Sequence, residues 1–176
     1  MPVVKEFIEL AELDCASRHE RLVVDAVTKK LKELGFTVRE DDTAAKVEGE
    51  AGNVCAYLEG TAKGCVLFAA HLDRVQNGLG IKPRLKDGNL VSDGTTILAA
   101  DDLSGVAAIL DGIRRVLASG KPYPRIEVLF SVCEEIGVQG TKHLDTSLFE
   151  AKYGFVLDSP GRIGRVLDSA MGKAEL

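Results

Sequence analysis

Ionisable side chains recur in this 176-residue sequence where apolar runs end. His71 and Asp73 follow LFAA, Asp101 and Asp102 follow ILAA, Glu134 and Glu135 follow LFSVC, and Asp158 follows GFVL. One acid at the end of a strand is ordinary, because that is where a strand meets water. An imidazole and several carboxylates at four such ends point instead to a convergent site. Carboxylates forced together repel one another, and a cation relieves the repulsion. Imidazole mixed with carboxylates, with no thiolate in place, suits zinc, manganese or cobalt better than calcium. His71 and Asp73 stand two residues apart, so both leave an extended segment on one face, and Asp73 can accept the second imidazole N–H. Glu134 and Glu135 point in different directions if extended. One of them can hold metal while its neighbour serves as base for a bound water.

These ends need strands to carry them. The apolar period switches repeatedly between helical and strand patterns, which predicts an α/β domain of three layers. Residues 3–13 read as a helix. Ser17 is a candidate cap for a second helix reaching about Leu34, where Gly35 stops it. Strands are expected over 36–39, 53–59, 65–73, 126–133 and 153–158, with an acidic loop over 40–52 and a hairpin turning at KDGN. A helix from Asp102 to about Ala118 closes at Gly120, and a shorter one is expected over 141–150. CVLFAA is apolar on both faces and belongs inside the sheet. In open α/β sheets the functional crevice lies beyond the carboxyl ends of the strands, where the ionisable residues stand.

Composition narrows the classes. An apolar share of 45% and a charged share of 28% are globular values, and the length suits a single domain over 1–176. Lys and Arg number 22 against 27 Asp and Glu, a net charge of -5 without a basic stripe, which argues against a nucleic-acid partner. No apolar run approaches the roughly 20 residues of a membrane span. Residues 1–14 mix charged with apolar side chains and contain no signal-peptide core. Four cysteines standing singly suggest a cytoplasmic protein.

The stretch IKPRLKDGNLVSDGTTILAADDLSGVAAIL, with HLDRV before it and EEIGVQGTKHL after it, resembles the peptidase T-like metallopeptidases. These belong to a clan of co-catalytic dizinc aminopeptidases, carboxypeptidases and deacylases. ASRHE and GNVCAYLEG extend the likeness over nearly the whole chain. The resemblance implies a mixed central β-sheet with helices on both faces, a lid or dimerisation domain inserted into it, and removal of N-terminal residues from short peptides. It implies up to two zinc ions. His71 and Asp158 become ligands of the first, Glu135 of the second, and Asp101 the bridge between them. Asp73 becomes the partner behind His71, and Glu134 the general base acting on a metal-bridging water. A cis bond between Asp101 and Asp102 is implied as well. The alternatives are a clan deacylase acting on acylated amino acids and a non-catalytic metal-binding or interaction module.

The likeness also has gaps. The family completes its second metal site with a histidine far along the chain, and no histidine follows Asp158 here. The lid is absent. The expectation is therefore the N-terminal portion of a catalytic domain, holding one zinc and turning peptides over at background, with homodimerisation left to a longer parent. His19 and His143 are expected to be ordinary surface histidines and Cys133 a buried apolar side chain. Arg74 stands where Thr or Ser is usual and could reach substrate.

Overall fold

The computed structural model describes residues 2–75, 78–159, 161–162 and 164–168. The end of the expected single domain, 169–176, lies outside the described residues.

Two helices open the chain, α1 (Pro2–Ala11) and α2 (Arg21–Glu33). Each buries one stripe: Phe7, Leu10 and Ala11 on α1, and Val23, Val24, Val27 and Leu31 on α2. The end of α2 follows from Gly35, whose φ of +90 is costless only without a Cβ. The Gly35 N–H donates to Lys32 O and the Phe36 N–H to Leu31 O, the paired bonds of a Schellman cap.

Next come β1 (Thr37–Glu40), α3 (Thr43–Val47), β2 (Val54–Leu58), β3 (Cys65–His71), β4 (Arg84–Lys86), β5 (Asn89–Val91), α4 (Ala100–Ala118), β6 (Arg125–Ser131), α5 (Gln139–Lys142), a 3-10 turn at Thr146–Leu148, and β7 (Gly154–Val156). The main sheet has the order β1-β2-β6-β3-β7, and β4 with β5 forms a separate hairpin. Pairing is antiparallel for β1 with β2 and for β2 with β6, and parallel for β3 with both β6 and β7. The sheet is therefore mixed, as the resemblance implies.

Helical cover is unequal. The large core joins α1, α2 and α4 to one sheet face through Phe7, Leu10, Val24, Leu110, Val128 and Phe130. Across the sheet a smaller cluster sets Cys55, Ala69 and Leu129 against Leu144, Leu148 and Phe149. Glu6 is buried where α1, α2 and α4 meet, and it is paired with Lys30 at 2.7 Å and with Arg114. β7 is an edge strand and all three of its residues are exposed.

Two local expectations change. The acidic loop contains α3, whose first residue, Thr43, donates its N–H to Asp41 Oδ1 at 3.0 Å. The helix expected over 141–150 is divided, because Asp145 accepts the Ser147 N–H and hydroxyl and turns the chain out of the helix.

Candidate metal centre

Register brings the site together. In the parallel ladders Ser131 stands opposite His71 and Val156 opposite Ala69. The chain therefore leaves β6 toward Glu134 and Glu135, and β7 toward Asp158, at the end of the sheet where β3 delivers His71. α4 starts at the same place, with a cis bond between Asp101 and Asp102.

His71 is buried, and its Nε2 lies 2.9 Å from Asp101 Oδ1, 3.9 Å from Glu134 Oε2 and 3.9 Å from Asp158 Oδ1. Its Nδ1 faces the Asp73 carbonyl oxygen at 2.9 Å, with the Asp73 carboxylate at 3.5 Å. A carbonyl only accepts, so Nδ1 carries a proton and Nε2 is the nitrogen presented to the carboxylates. Two groups have the reach to share an ion, with ligand atoms all within 4.8 Å of one another: His71 with Asp102 and Asp158, and His71 with Asp101 and Glu135. All the residues read from sequence as site members thus lie at this end of the sheet. Asp102 thus joins His71 and Asp158 in the first group and Asp101 joins His71 and Glu135 in the second, while Asp101 and Asp158 both lie within 3.9 Å of His71 Nε2.

Electrostatics mark the cluster as over-supplied with negative charge. Burial pushes the Asp102 carboxyl up to about 8, reinforced by Asp158. Burial likewise raises Glu134, Glu135 and Asp158, with neighbouring carboxylates adding to the shift. Burial alone would keep His71 neutral, but hydrogen bonds to Asp73 and Asp101 outweigh it and lift the imidazole to about 10. Protons thus do in the bare chain what a divalent cation does better. One Asp102 oxygen, Oδ2, is buried without a hydrogen-bond partner. The donor set fits zinc, manganese or cobalt.

Asp73 serves more than His71. Its carboxylate accepts the Ser17 hydroxyl at 2.6 Å, the Glu134 N–H at 2.8 Å and the Glu135 N–H at 3.1 Å. The His71 imidazole beside it, together with the Ser17 and Glu134 bonds, holds Asp73 below the usual carboxylate range despite its burial. Ser17 is accordingly no helix cap: α2 starts four residues later, after Glu20. Arg74 points into the protein. It is buried, and its guanidinium donates to Ala11 O and Leu13 O. His19 is exposed and pairs with Glu50, His143 is exposed, and Cys133 is buried.

Sequence reasoning noticed Asp102 but gave it no role; the doubled Asp at a strand-end position was its signal. It passed over Glu20, whose one visible mark was a carboxylate four residues ahead of the buried Val24.

A mixed sheet with an imidazole and carboxylates gathered at one end defines a metallopeptidase-type catalytic layer. The chain belongs to peptidase family M28, whose family model matches residues 53–175. Aminopeptidase PepT from Bacillus cereus superposes with a TM-score of 0.90 at 43% identity, covering 93% of this chain and 44% of that one. A tripeptidase from Staphylococcus aureus gives 0.88 at 30% identity, covering 91% of this chain and 43% of that one. The uncharacterized protein YqjE of Bacillus subtilis is 37% identical over 175 residues, which is 99% of this chain and 47% of the relative. The chain spans less than half the length of each.

Proposed function

We propose that this chain carries the metal-binding catalytic face of a cytoplasmic peptidase that removes N-terminal residues from short peptides. The observation that carries the reading is His71 Nε2 facing Asp101, Glu134 and Asp158 within 3.9 Å at the carboxyl end of the sheet. His71, Asp101 and Asp158 hold one ion, zinc in the first place and manganese or cobalt by the same donor chemistry. Asp101 and Glu135 are the groups offered to a second. When bound, such an ion polarises the scissile carbonyl and lowers the pKa of water.

The chain's own residues supply the rest. Glu134 is the base: it takes a proton on its carboxylate and passes it to the leaving amine. Asp73 keeps the proton of His71 on Nδ1 and holds the backbone of Glu134 and Glu135. Four free thiols are consistent with a reducing compartment, and no helix among the described residues is long and apolar enough to cross a membrane.

By itself the chain is a poor catalyst on this reading. The second ion finds two carboxylates and no imidazole, and positioning of a substrate, which can contribute about 7–11 kcal/mol, falls to groups outside the matched half of the relatives. Zinc calorimetry run beside assays of tripeptides and of acylated amino acids tests the proposal. The expected result is about one zinc per chain, lost in His71→Ala, with tripeptide turnover near background. Zinc binding that survives loss of His71 overturns the site. Hydrolysis of acylated amino acids without any of tripeptides overturns the substrate class.

A further inference from the structure

Three consecutive backbone N–H groups in the turn after β6 donate to buried carboxylates. The Cys133 N–H donates to Glu20 Oε1 at 3.0 Å, the Glu134 N–H to Asp73 Oδ1 at 2.8 Å and the Glu135 N–H to Asp73 Oδ2 at 3.1 Å. We propose that Glu20 is a positioning residue for the metal centre, which holds the turn at Cys133 so that Glu134 and Glu135 project toward His71. The inference rests on the metal-site reading above and extends it to a residue from the far end of the chain.

Glu20 is fully buried, yet its own helix does not use it. It precedes α2 and makes no side-chain cap bond there. Its Oε1 turns instead toward β6 and accepts the Cys133 N–H, with the Cys133 thiol at 3.4 Å and the Arg18 N–H at 3.0 Å on the same oxygen. Burying a carboxylate is costly, and an apolar side chain would fill this space more cheaply if packing were all it did. Burial also raises the Glu20 carboxyl above its ordinary range, so an amide of the same shape is a close replacement.

The turn needs such a hold. Cys133 has a φ of +54, in the left-handed region that a side-chain-bearing residue keeps only when its surroundings over-determine it. Successive N–H groups in such a turn form a concave donor set that takes up negative charge. Here two carboxylates share the set, Asp73 from the segment after β3 and Glu20 from the turn before α2. Ser17 ties the two together, since its hydroxyl donates to Asp73 from the same segment that supplies Glu20. If the Cys133 bond is lost, the turn is free to relax toward ordinary φ, and the two side chains that follow move with it.

Cobalt(II) alone is the probe, read by its visible absorption on the whole 176-residue chain. Glu20→Ala should weaken cobalt affinity about 10–100-fold, as removal of an outer partner of a metal ligand does, and alter the spectrum. Glu20→Gln should restore both. Glu127 is a comparison: it is a buried carboxylate of β6 bonded to the Glu150 and Ala151 N–H groups, so Glu127→Ala should melt lower and bind cobalt as wild type does. Unchanged affinity and spectrum in Glu20→Ala, or an equal loss in Glu127→Ala, overturns the proposal. If Glu20→Ala does not fold, Glu20→Asp takes its place, since its shorter side chain withdraws from Cys133, and the same loss is expected. A wild-type chain that binds no cobalt removes the metal-site reading. The positioning claim then stands on amide hydrogen exchange at Cys133, Glu134 and Glu135, which needs no metal. These amides should be protected in wild type, and exchange as fast as in an unstructured chain overturns it whatever any variant does.

Discussion

His71 and Asp158 face each other across neighbouring parallel strands, with Nε2 of one 3.9 Å from Oδ1 of the other. Val156 is paired with Ala69, so both side chains emerge two residues further on, at the same height. The site is a consequence of register, and the first prediction tests that directly. Asp158→Ala should lower zinc affinity at least tenfold by calorimetry while the melting temperature without metal stays near that of wild type. Added zinc should raise the wild-type melting temperature, since a ligand at 100 times its Kd stabilises by about 2.7 kcal/mol.

On the proposed reading Glu134 is the base and Glu135 a ligand. In any preparation that hydrolyses peptides measurably, Glu134→Gln should lower turnover by about a hundredfold or more and leave bound metal unchanged. Equal loss of metal and turnover, measured by elemental analysis beside the assay, would exchange the two roles.

Gly105 lies where α4 passes the site. A Cβ there would meet the Leu157 carbonyl oxygen at 2.6 Å and press on Asp102 Oδ1. Gly105→Ala should therefore cost about 1–3 kcal/mol in urea unfolding and weaken zinc binding as well. Gly112, on the same helix, meets nothing within 4 Å, so Gly112→Ala should leave metal binding alone and stabilise the fold by roughly 0.4–1 kcal/mol.

The thiols give a dependence on pH. Burial pushes Cys15 and Cys65 up to about 11, and Cys55 and Cys133 up to about 12. Unfolded thiols ionise near their ordinary value, so above it the unfolded chain binds fewer protons than the folded one. Their contribution is complete below that value and is lost as pH rises toward 11 and 12. Urea midpoints should fall between pH 9 and 11. At pH 8 a thiol reagent should leave the three fully buried cysteines untouched until denaturant is added.

Much of this is legible in the sequence. Long apolar runs ending in acids marked β3, β6 and β7, because a buried strand must be apolar along its length and its polar neighbours must cluster at its ends. What was not legible depended on partners distant in sequence. α3 has only five residues, too short to show a helical period, and Asn53 secures it by donating to Asp41 and Thr43. The burial of Arg74 was not foreseen, because nothing nearby in sequence reveals that the carbonyls of Ala11 and Leu13 surround it. Asp102 was visible as a letter, but whether it or Asp101 turns inward depends on the backbone at the start of α4.

β7 is only three residues long and is attached to the sheet through Leu67–Ala69 alone. Asp158 is held in the cluster by that short seam, so on the proposed metal-site reading metal capture and completion of the sheet become one equilibrium. During synthesis the nascent chain presents His71 and Asp101 long before Asp158 arrives, and the ion has to wait for the last strand. If the proposed site takes up metal, its binding reports that the sheet has closed, and a chelator should then loosen β7 before it loosens anything else.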